Sequence, residues 1–500
     1  MTTACTPSSS QKFSQDELRD MIAHFTPHSQ IPKKIKIITD TSDFFRVDYH
    51  DVLILDNHPY LIKNSLREGR FGIDEEPKYW VKKAIDLSNG NAKIIKLVFL
   101  EKFKSRVGGM VFNCVRSPKK EARILELVRG HPHFMHGFSA RDDSGNIIRV
   151  IDFIHGKTIA DVIHEIDSNH EEYFHNYFPA VLDDYIELVK AIKFLHDHRE
   201  KHGDIRRDHI ILDNRVNRYR WIDFDFNYMH KESMFSYDLF GLGNLLVFLA
   251  GKGDVTLQHL KNINHPAYRH LTLDDVNLIF QNRVVDLKKI YPYIPESLNR
   301  VLLHFSASAN IFYDNTSQLI NDLMEAREEV FRPVKRANAI ADGFIERRAA
   351  TRDRHILIAL DETENAKRAL LYVADFLGGQ PGMRAALLRI ITDPLEDYFE
   401  NDFERADWLE DQYNTADKML KNYRNILVHS GFKKQKINIR IIMNYCSSTA
   451  ECILEEQKNL GCCTIVIGRR VISRKEEFLF GSTSNKILHA PKNCAVWVVE

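Results

Sequence analysis

The hydrophobic period of the chain changes twice along its length, and no single sheet or bundle satisfies all three periods. From Asp51 to Leu100 the stretches DVLILD, YLIKN, KYWVKKAIDL and AKIIKLVFL alternate or run apolar. They predict strands, with Asn89-Gly90 as a tight turn between the last two. Helical spacing takes over near Lys119 and dominates from Tyr173 to Val330. From His355 to Glu500 strand and helix patterns alternate, the mark of a parallel sheet with crossover helices. Residues 1–45 are polar and irregular apart from an amphipathic stretch around Gln15 to Phe25, and residues 331–352 are rich in Arg and Ala. The predicted order is an N-terminal extension (1–45), a β-rich lobe (46–150), a helical lobe (151–330), a linker (331–352) and an α/β domain (353–500).

Five hundred residues are too many for one core. A formal charge of zero argues against a polyanion-binding or membrane-surface protein, so neither nucleic acid nor membrane is an expected partner. The longest strongly apolar run, Leu239 to Ala250, is too short and too Gly-interrupted to span a bilayer. The stretch MTTACTPSSSQKF has no basic-then-apolar signal pattern. The seven cysteines form no CxxC pair. Cys462 and Cys463 adjoin the apolar run Thr464 to Ile467 and read as buried thiols, so a reducing cytosol is expected. His131, His133 and His136 have no cysteines or second histidine pair nearby in sequence, and a closed four-ligand metal site is not expected there. The acidic, aromatic run 396–413 reads as an amphipathic helix of the α/β domain. A GxxxxGK[ST] loop is missing, so P-loop chemistry has no support.

Phosphoryl transfer needs a lysine on the phosphates, carboxylates for Mg²⁺, and another carboxylate to orient the attacking hydroxyl. A loop of low side-chain bulk should cover the phosphates. The chain offers these in order: Gly69 and Gly72 between strand candidates, Lys96 in KIIKLVF, Glu121 near the start of EARILELV, Asp204 after YIELVKAIKFLHDH, and Asp223 after a short strand. Taken singly, the glycine pair reads as a turn, Lys96 as a solvated lysine and Glu121 as a surface charge. The spacing of Asp204 and Asp223, bracketed by the right elements, carries most of the signal.

From about Tyr60 to Val330 the chain resembles the protein-kinase-like superfamily. KIIK stands at the strand-borne lysine motif, HGD at the catalytic loop, DFD in place of DFG, VIDFIHGKTI at the hinge, and YDLFGLG at the long central helix. The resemblance implies ATP and Mg²⁺ as cofactors. It places Lys96 on the phosphates under Gly69 and Gly72, Glu121 as the holder of Lys96, and adenine near Asp152 to Ile154. Asp204 would be the catalytic base, Asp223 the metal ligand, and Asp238 a brace for the catalytic loop. His209 occupies the position of the usual second metal ligand, an asparagine; an imidazole suits Mg²⁺ poorly, so either Asp208 or water would substitute or only one metal would bind tightly. Asp225 replaces the usual glycine. Only fourteen residues separate Asp223 from Asp238, which leaves no room for a long activation segment or an APE motif.

The block from about Asp353 to Glu500 resembles the universal stress protein family, whose nucleotide-binding members carry G-x2-G-x9-G-[ST]. Gly468, Val471 and Gly481-Ser482 keep that spacing, with valine at the middle glycine. The resemblance implies adenine and ribose near Asp361 and Ile390, and phosphates at Gly468, Gly481, Ser482 and Thr483. The last strand, CAVWVVE, is an edge at which two copies would pair.

The expected fold is a bilobal α+β protein-kinase-like domain followed by a Rossmann-like, doubly wound parallel α/β domain. The expected protein is a cytosolic, bacterial, atypical Ser/Thr protein kinase whose stress domain couples it to energy or stress state. Two readings stay open beside it. A pseudokinase sensing adenine nucleotide is favoured by His209, and a small-molecule kinase by the short segment after Asp223. The acceptor is accordingly a protein or a small molecule.

Overall fold

The computed structural model describes residues 13–27, 31–70, 73–107, 109–229, 232–331, 354–378, 380, 382–392, 399, 401–443, 448–470, 473–490 and 494–500. In chain order its helices and strands are α1 (Gln15–Phe25), β1 (Ile37–Ile38), β2 (Val52–Leu55), β3 (His58–Arg70), β4 (Ile73–Asp86), β5 (Ala92–Lys96), β6 (Glu101–Val107), β7 (Met110–Arg116), α2 (Pro118–Leu127), β8 (Gly137–Arg141), β9 (Ile147–Asp152), β10 (Gly156–Thr158) and α3 (Ile159–His164). Next come α4 (His170–Asn176), α5 (Phe178–Asp197), β11 (Ile210–Asp213), β12 (Arg218–Trp221), β13 (Phe226–Tyr228), α6 (Ser236–Ala250), α7 (Leu257–Asn262), α8 (Glu296–Leu303) and α9 (Thr316–Val330). The last block is β14 (Arg354–Ala359), α10 (Glu364–Leu377), β15 (Met383–Ile391), α11 (Asp402–His429), β16 (Ile437–Met443), α12 (Thr449–Leu460), β17 (Thr464–Gly468), α13 (Arg474–Phe480), α14 (Thr483–His489) and β18 (Ala495–Val499). The described residues fall into two compact units. One draws on Met1–Phe103, Cys114–Glu165 and Arg206–Asn227, the other on Lys104–Asn113, Ile166–Ile205 and Tyr228–Glu500.

The first unit is built on a seven-stranded sheet in the order β1-β2-β3-β4-β5-β9-β8. Period-2 alternation sends Leu53, Tyr60, Ile62, Ala84, Ile95 and Val150 to one buried face. Val52 and Leu61 go to the other, where Leu18 and Ile22 of α1 cover them. α1 starts where the sequence says it should. Ser14 caps it, and Glu17 closes a capping box. The turn expected at Asn89-Gly90 closes with Gly90 N–H on the Asp86 carbonyl, 2.8 Å. One expectation fails here. Gly69 is not in a loop, because β3 and β4 stay paired to Arg70 and Ile73 and Gly69 lies inside the strand. Gly72, Val471 and the linker 331–352, apart from Phe331, lie outside the described residues.

The second unit contains the long helices and the α/β domain. α6 is apolar nearly all round and buried along most of its length, which is why its sequence looks like a short span. Among the described residues, no helix is long and apolar enough to cross a membrane. The α/β domain has five parallel strands in the order β16-β15-β14-β17-β18. Side chains alternate between two cores, with Ile356, Ile358, Leu387 and Val466 in one and Leu357, Leu388, Ile465 and Ile467 in the other. Strand order reverses at β14, so a crevice opens beyond the carboxyl ends of β14 and β17. From Asp402 to Tyr413 the acidic run lies in α11. Cys462 is buried and its thiol is pushed up to about 12, by burial first. Cys463 is exposed, contrary to expectation. Its backbone N–H opens the pairing with the His355 carbonyl (2.8 Å) at the strand's start, and alternation turns its side chain away from that of Cys462.

Candidate functional site

The first unit gathers charge around Lys96, the last residue of β5. β9 runs antiparallel beside it and sets Arg149 opposite Lys96. α2 starts with Ser117 as cap and Pro118 in its first turn, which fixes Glu121 facing the sheet with no exposure. Lys96 Nζ lies 2.6 Å from Glu121 Oε1 and 2.6 Å from Asp223 Oδ1, with Asp225 Oδ2 at 3.8 Å. Glu121 Oε2 accepts from Arg149 Nε at 3.2 Å, and its Oε1 from the Phe224 backbone N–H at 3.3 Å. Lys78 Nζ and His209 Nε2 stand 3.6 and 3.7 Å from Asp223 Oδ2.

The DFD stretch is laced to α2. Ser117 N–H donates to the Asp225 carbonyl (2.9 Å), and Lys120 Nζ to the Phe226 carbonyl (2.5 Å). Phe224 is fully buried edge-on against Phe134 at 5.7 Å. Asp223 holds φ +67°, a backbone region that non-glycine residues avoid and that persists only where surroundings over-determine it. Burial by itself would lower the Lys96 ammonium's pKa, but Asp223, Glu121 and Asp225 outweigh it and raise the value. For Asp223 burial works upward, and Lys96, Lys78 and His209 overcome it, holding the carboxyl well below the usual range. Asp225 goes the other way, raised by burial and by the charge of Asp223.

Asp204 belongs to the second unit. Its backbone N–H faces His202 Nδ1 at 3.3 Å. The two preceding residues are pinned by Asp238 of α6, whose carboxylate accepts from His202 N–H and Gly203 N–H, each at 2.8 Å. His196 Nε2 lies 3.0 Å from the same carboxylate. Burial opposes ionisation of Asp238, but the His196 contact and these N–H groups bring it down to about 2. Asp152 ends β9 and pairs with Lys93 at 2.6 Å. With Phe153 and Ile154 it borders a cavity of about 290 Å³ within the first unit.

A second cavity, about 230 Å³, occupies the crevice of the α/β domain. Asp361, Ile390, Gly468, Ser482 and Thr483 all border it. A Cβ at Gly468 would come within 2.4 Å of the Asn365 carbonyl oxygen, so only glycine permits this approach. Gly481, at φ +82°, turns the chain from α13 into α14; the Ser233 side chain lies 3.1 Å from where its Cβ would be. Ser482 Oγ caps α14. Thr483 is already engaged, because its N–H and Oγ1 donate to Glu232 Oε2 at 2.6 and 2.8 Å. Arg470 forms an ion pair with the other oxygen of Glu232.

Residues 353–500 match the universal stress protein family. A protein-kinase-like domain precedes this stress domain. Curated relatives include a Caenorhabditis elegans protein named for ribosomal protein S6 kinase alpha-2, 29% identical over 118 residues. A carbon catabolite-derepressing protein kinase of Candida albicans is 27% identical over 159 residues. These alignments take in 23% and 32% of this chain, and only 14% and 22% of the relatives' length. Similar solved structures include the Mycobacterium tuberculosis PknI kinase domain (13% identity, 53% of this chain and 96% of that one, TM-score 0.33). A universal stress family protein from Burkholderia pseudomallei is another (16% identity, 29% and 96%, TM-score 0.24).

Sequence reasoning missed Lys78, Arg149 and Glu232. Counting by twos from Val81, the partner of Lys96, leaves Lys78 on the opposite face, but a register irregularity lies between Lys82 and Lys78. Arg149 is visible only through the β5–β9 register, and Glu232 lies in a stretch with no period at all.

Proposed function

We propose that the protein-kinase-like domain is an ATP–Mg²⁺-dependent phosphotransferase acting on Ser/Thr of a protein, and that the stress-domain cavity takes an adenine nucleotide. The observation that carries this reading is Lys96 held at 2.6 Å by both Glu121 and Asp223. A buried ammonium fixed by a helix carboxylate is a positioned phosphate contact, and phosphoryl transfer depends on positioning and charge more than on covalent help.

The donor set suits a hard cation. Asp223 and Asp225 supply oxygen, and Mg²⁺ is ordinarily held by one or two carboxylates together with phosphate oxygens and water. When bound, the cation neutralises charge on the transferring phosphoryl group. In this scheme Lys96 orients the α- and β-phosphates and Glu121 orients Lys96. Asp204 accepts the proton of the acceptor hydroxyl as the new O–P bond forms and the bond to ADP breaks. Asp238 positions Asp204 through the two N–H groups that precede it. The test is transfer from γ-labelled ATP with Mg²⁺ or Mn²⁺, read by mass spectrometry, for wild type, Asp204→Ala and Asp223→Ala. Equal incorporation in all three overturns the proposal.

A second reading, nucleotide binding without transfer, is favoured by His209 beside Asp223, where an oxygen ligand would serve Mg²⁺ better. It expects nucleotide to raise Tm in the absence of any phosphate transfer.

A further inference from the structure

Glu232 stands nine residues after Asp223 and four before the start of α6, yet its side chain is seated in the stress-domain cavity. Only 13% of that side chain is exposed. A carboxylate drawn that far from water needs partners to offset its lost hydration. It has three: the Thr483 N–H, the Thr483 hydroxyl and the Arg470 guanidinium. The backbone around it is fastened as well, with Thr449 N–H donating to the Glu232 carbonyl (3.3 Å) and Ser233 bridging Ser448. Two N–H or O–H donors and a guanidinium converging on one anion also suit a phosphate oxygen. Size points the same way. With Glu232 in place the cavity holds about 230 Å³, below the roughly 300 Å³ at which ordinary ligand pockets begin.

We propose that the Glu232 carboxylate is an internal competitor for the phosphate end of the stress-domain cavity. A nucleoside polyphosphate entering the cavity displaces it, and seating of residues 232–235 and occupancy of the cavity exclude one another. This rests on the reading of the cavity as a nucleotide site. The displaced stretch runs directly into α6, whose Asp238 holds the loop bearing Asp204. Occupancy of the stress domain is thereby transmitted to the loop that carries the proposed base.

The test is hydrogen exchange on the full chain, with and without ATP, for wild type, Glu232→Gln and Glu232→Ala. Peptides over 359–366 report cavity occupancy, and peptides over 232–238 report the seated stretch. In wild type, ATP is expected to protect 359–366 and to speed exchange at 232–238. Both variants are expected to exchange fast at 232–238 without ligand. They should reach half-protection of 359–366 at about tenfold lower ATP, since the competent state is no longer a minority. Equal ATP dependence in all three proteins, with 232–238 unmoved in wild type, overturns the competition and leaves the nucleotide site standing. No protection of 359–366 in any of them removes the nucleotide site and the competition together.

Discussion

Asp223 and Glu232 come from one short stretch of sequence and are both held by cations, yet the two arrangements are physically unlike. Asp223 faces Lys96 at 2.6 Å in a network whose Lys96 and Glu121 side chains are 8% and 0% exposed. Glu232 faces Arg470, whose side chain is 42% exposed. In the first, water is excluded and each charge depends on the others, so removing one leaves a neighbour uncompensated. In the second, the guanidinium is open to water, and the carboxylate keeps both Thr483 donors if Arg470 is lost. The two carboxylates are themselves about equally buried, 16% and 13% exposed; burial of the cation is what separates a fixed framework from a contact that a ligand can replace.

That contrast can be broken experimentally. The largest effect belongs to Asp223→Ala, expected to lower phosphate transfer from labelled ATP by about a thousandfold or more, the scale on which positioned charge acts in transition states. Glu121→Ala deprives both Lys96 and Arg149 of a buried partner and is expected to cost about 3–5 kcal/mol in urea unfolding. Next comes Phe478→Ala. Phe478 is 5% exposed and meets Phe240, Phe305 and Phe312 at ring distances of 5.5, 6.3 and 4.5 Å. Its loss is expected to cost about 3 kcal/mol by the same measurement.

A pH titration of stability isolates Asp238. Its folded value is about 2 against a reference of 3.8. A depressed acid stabilises fully above the unfolded value and loses that contribution as pH falls through the folded one. About 2 kcal/mol should therefore vanish between about pH 4 and pH 2 in wild type, and Asp238→Asn should remove that portion of the slope. The smallest effect is expected from Arg470→Gln, under about 1 kcal/mol in Tm-derived stability. A loss as large as that of Glu121→Ala would erase the distinction drawn above.

Much of the first site was legible in the sequence. Lys96, Glu121 and Asp223 sit at the ends of periodic elements, where local pattern fixes position, and the structure brings them within 2.6 Å of a common ammonium. The parallel sheet of the α/β domain was legible in its alternation of strand and helix patterns, because parallel neighbours need crossover connections. Arg149 and Lys78 were hidden because long-range register decides their neighbours. Cys463 was misread because an apolar run says nothing about which way its first side chains face. The sequence places Gly69 in a loop over the phosphates, and pairing that continues to Arg70 absorbs it into β3.

The aromatic packing of Phe478 has a practical consequence. By sequence, the natural place to cut this protein is between Phe331 and Arg354. A chain ending at 331 would leave Phe240, Phe305 and Phe312 without the ring that covers them, and Asp314 without Lys486. The segment that looks like a hyphen between two family domains is therefore a poor seam for dissection. Whoever wants the N-terminal, kinase-like half alone should expect a sticky fragment, and should repaint that greasy patch before trusting its behaviour.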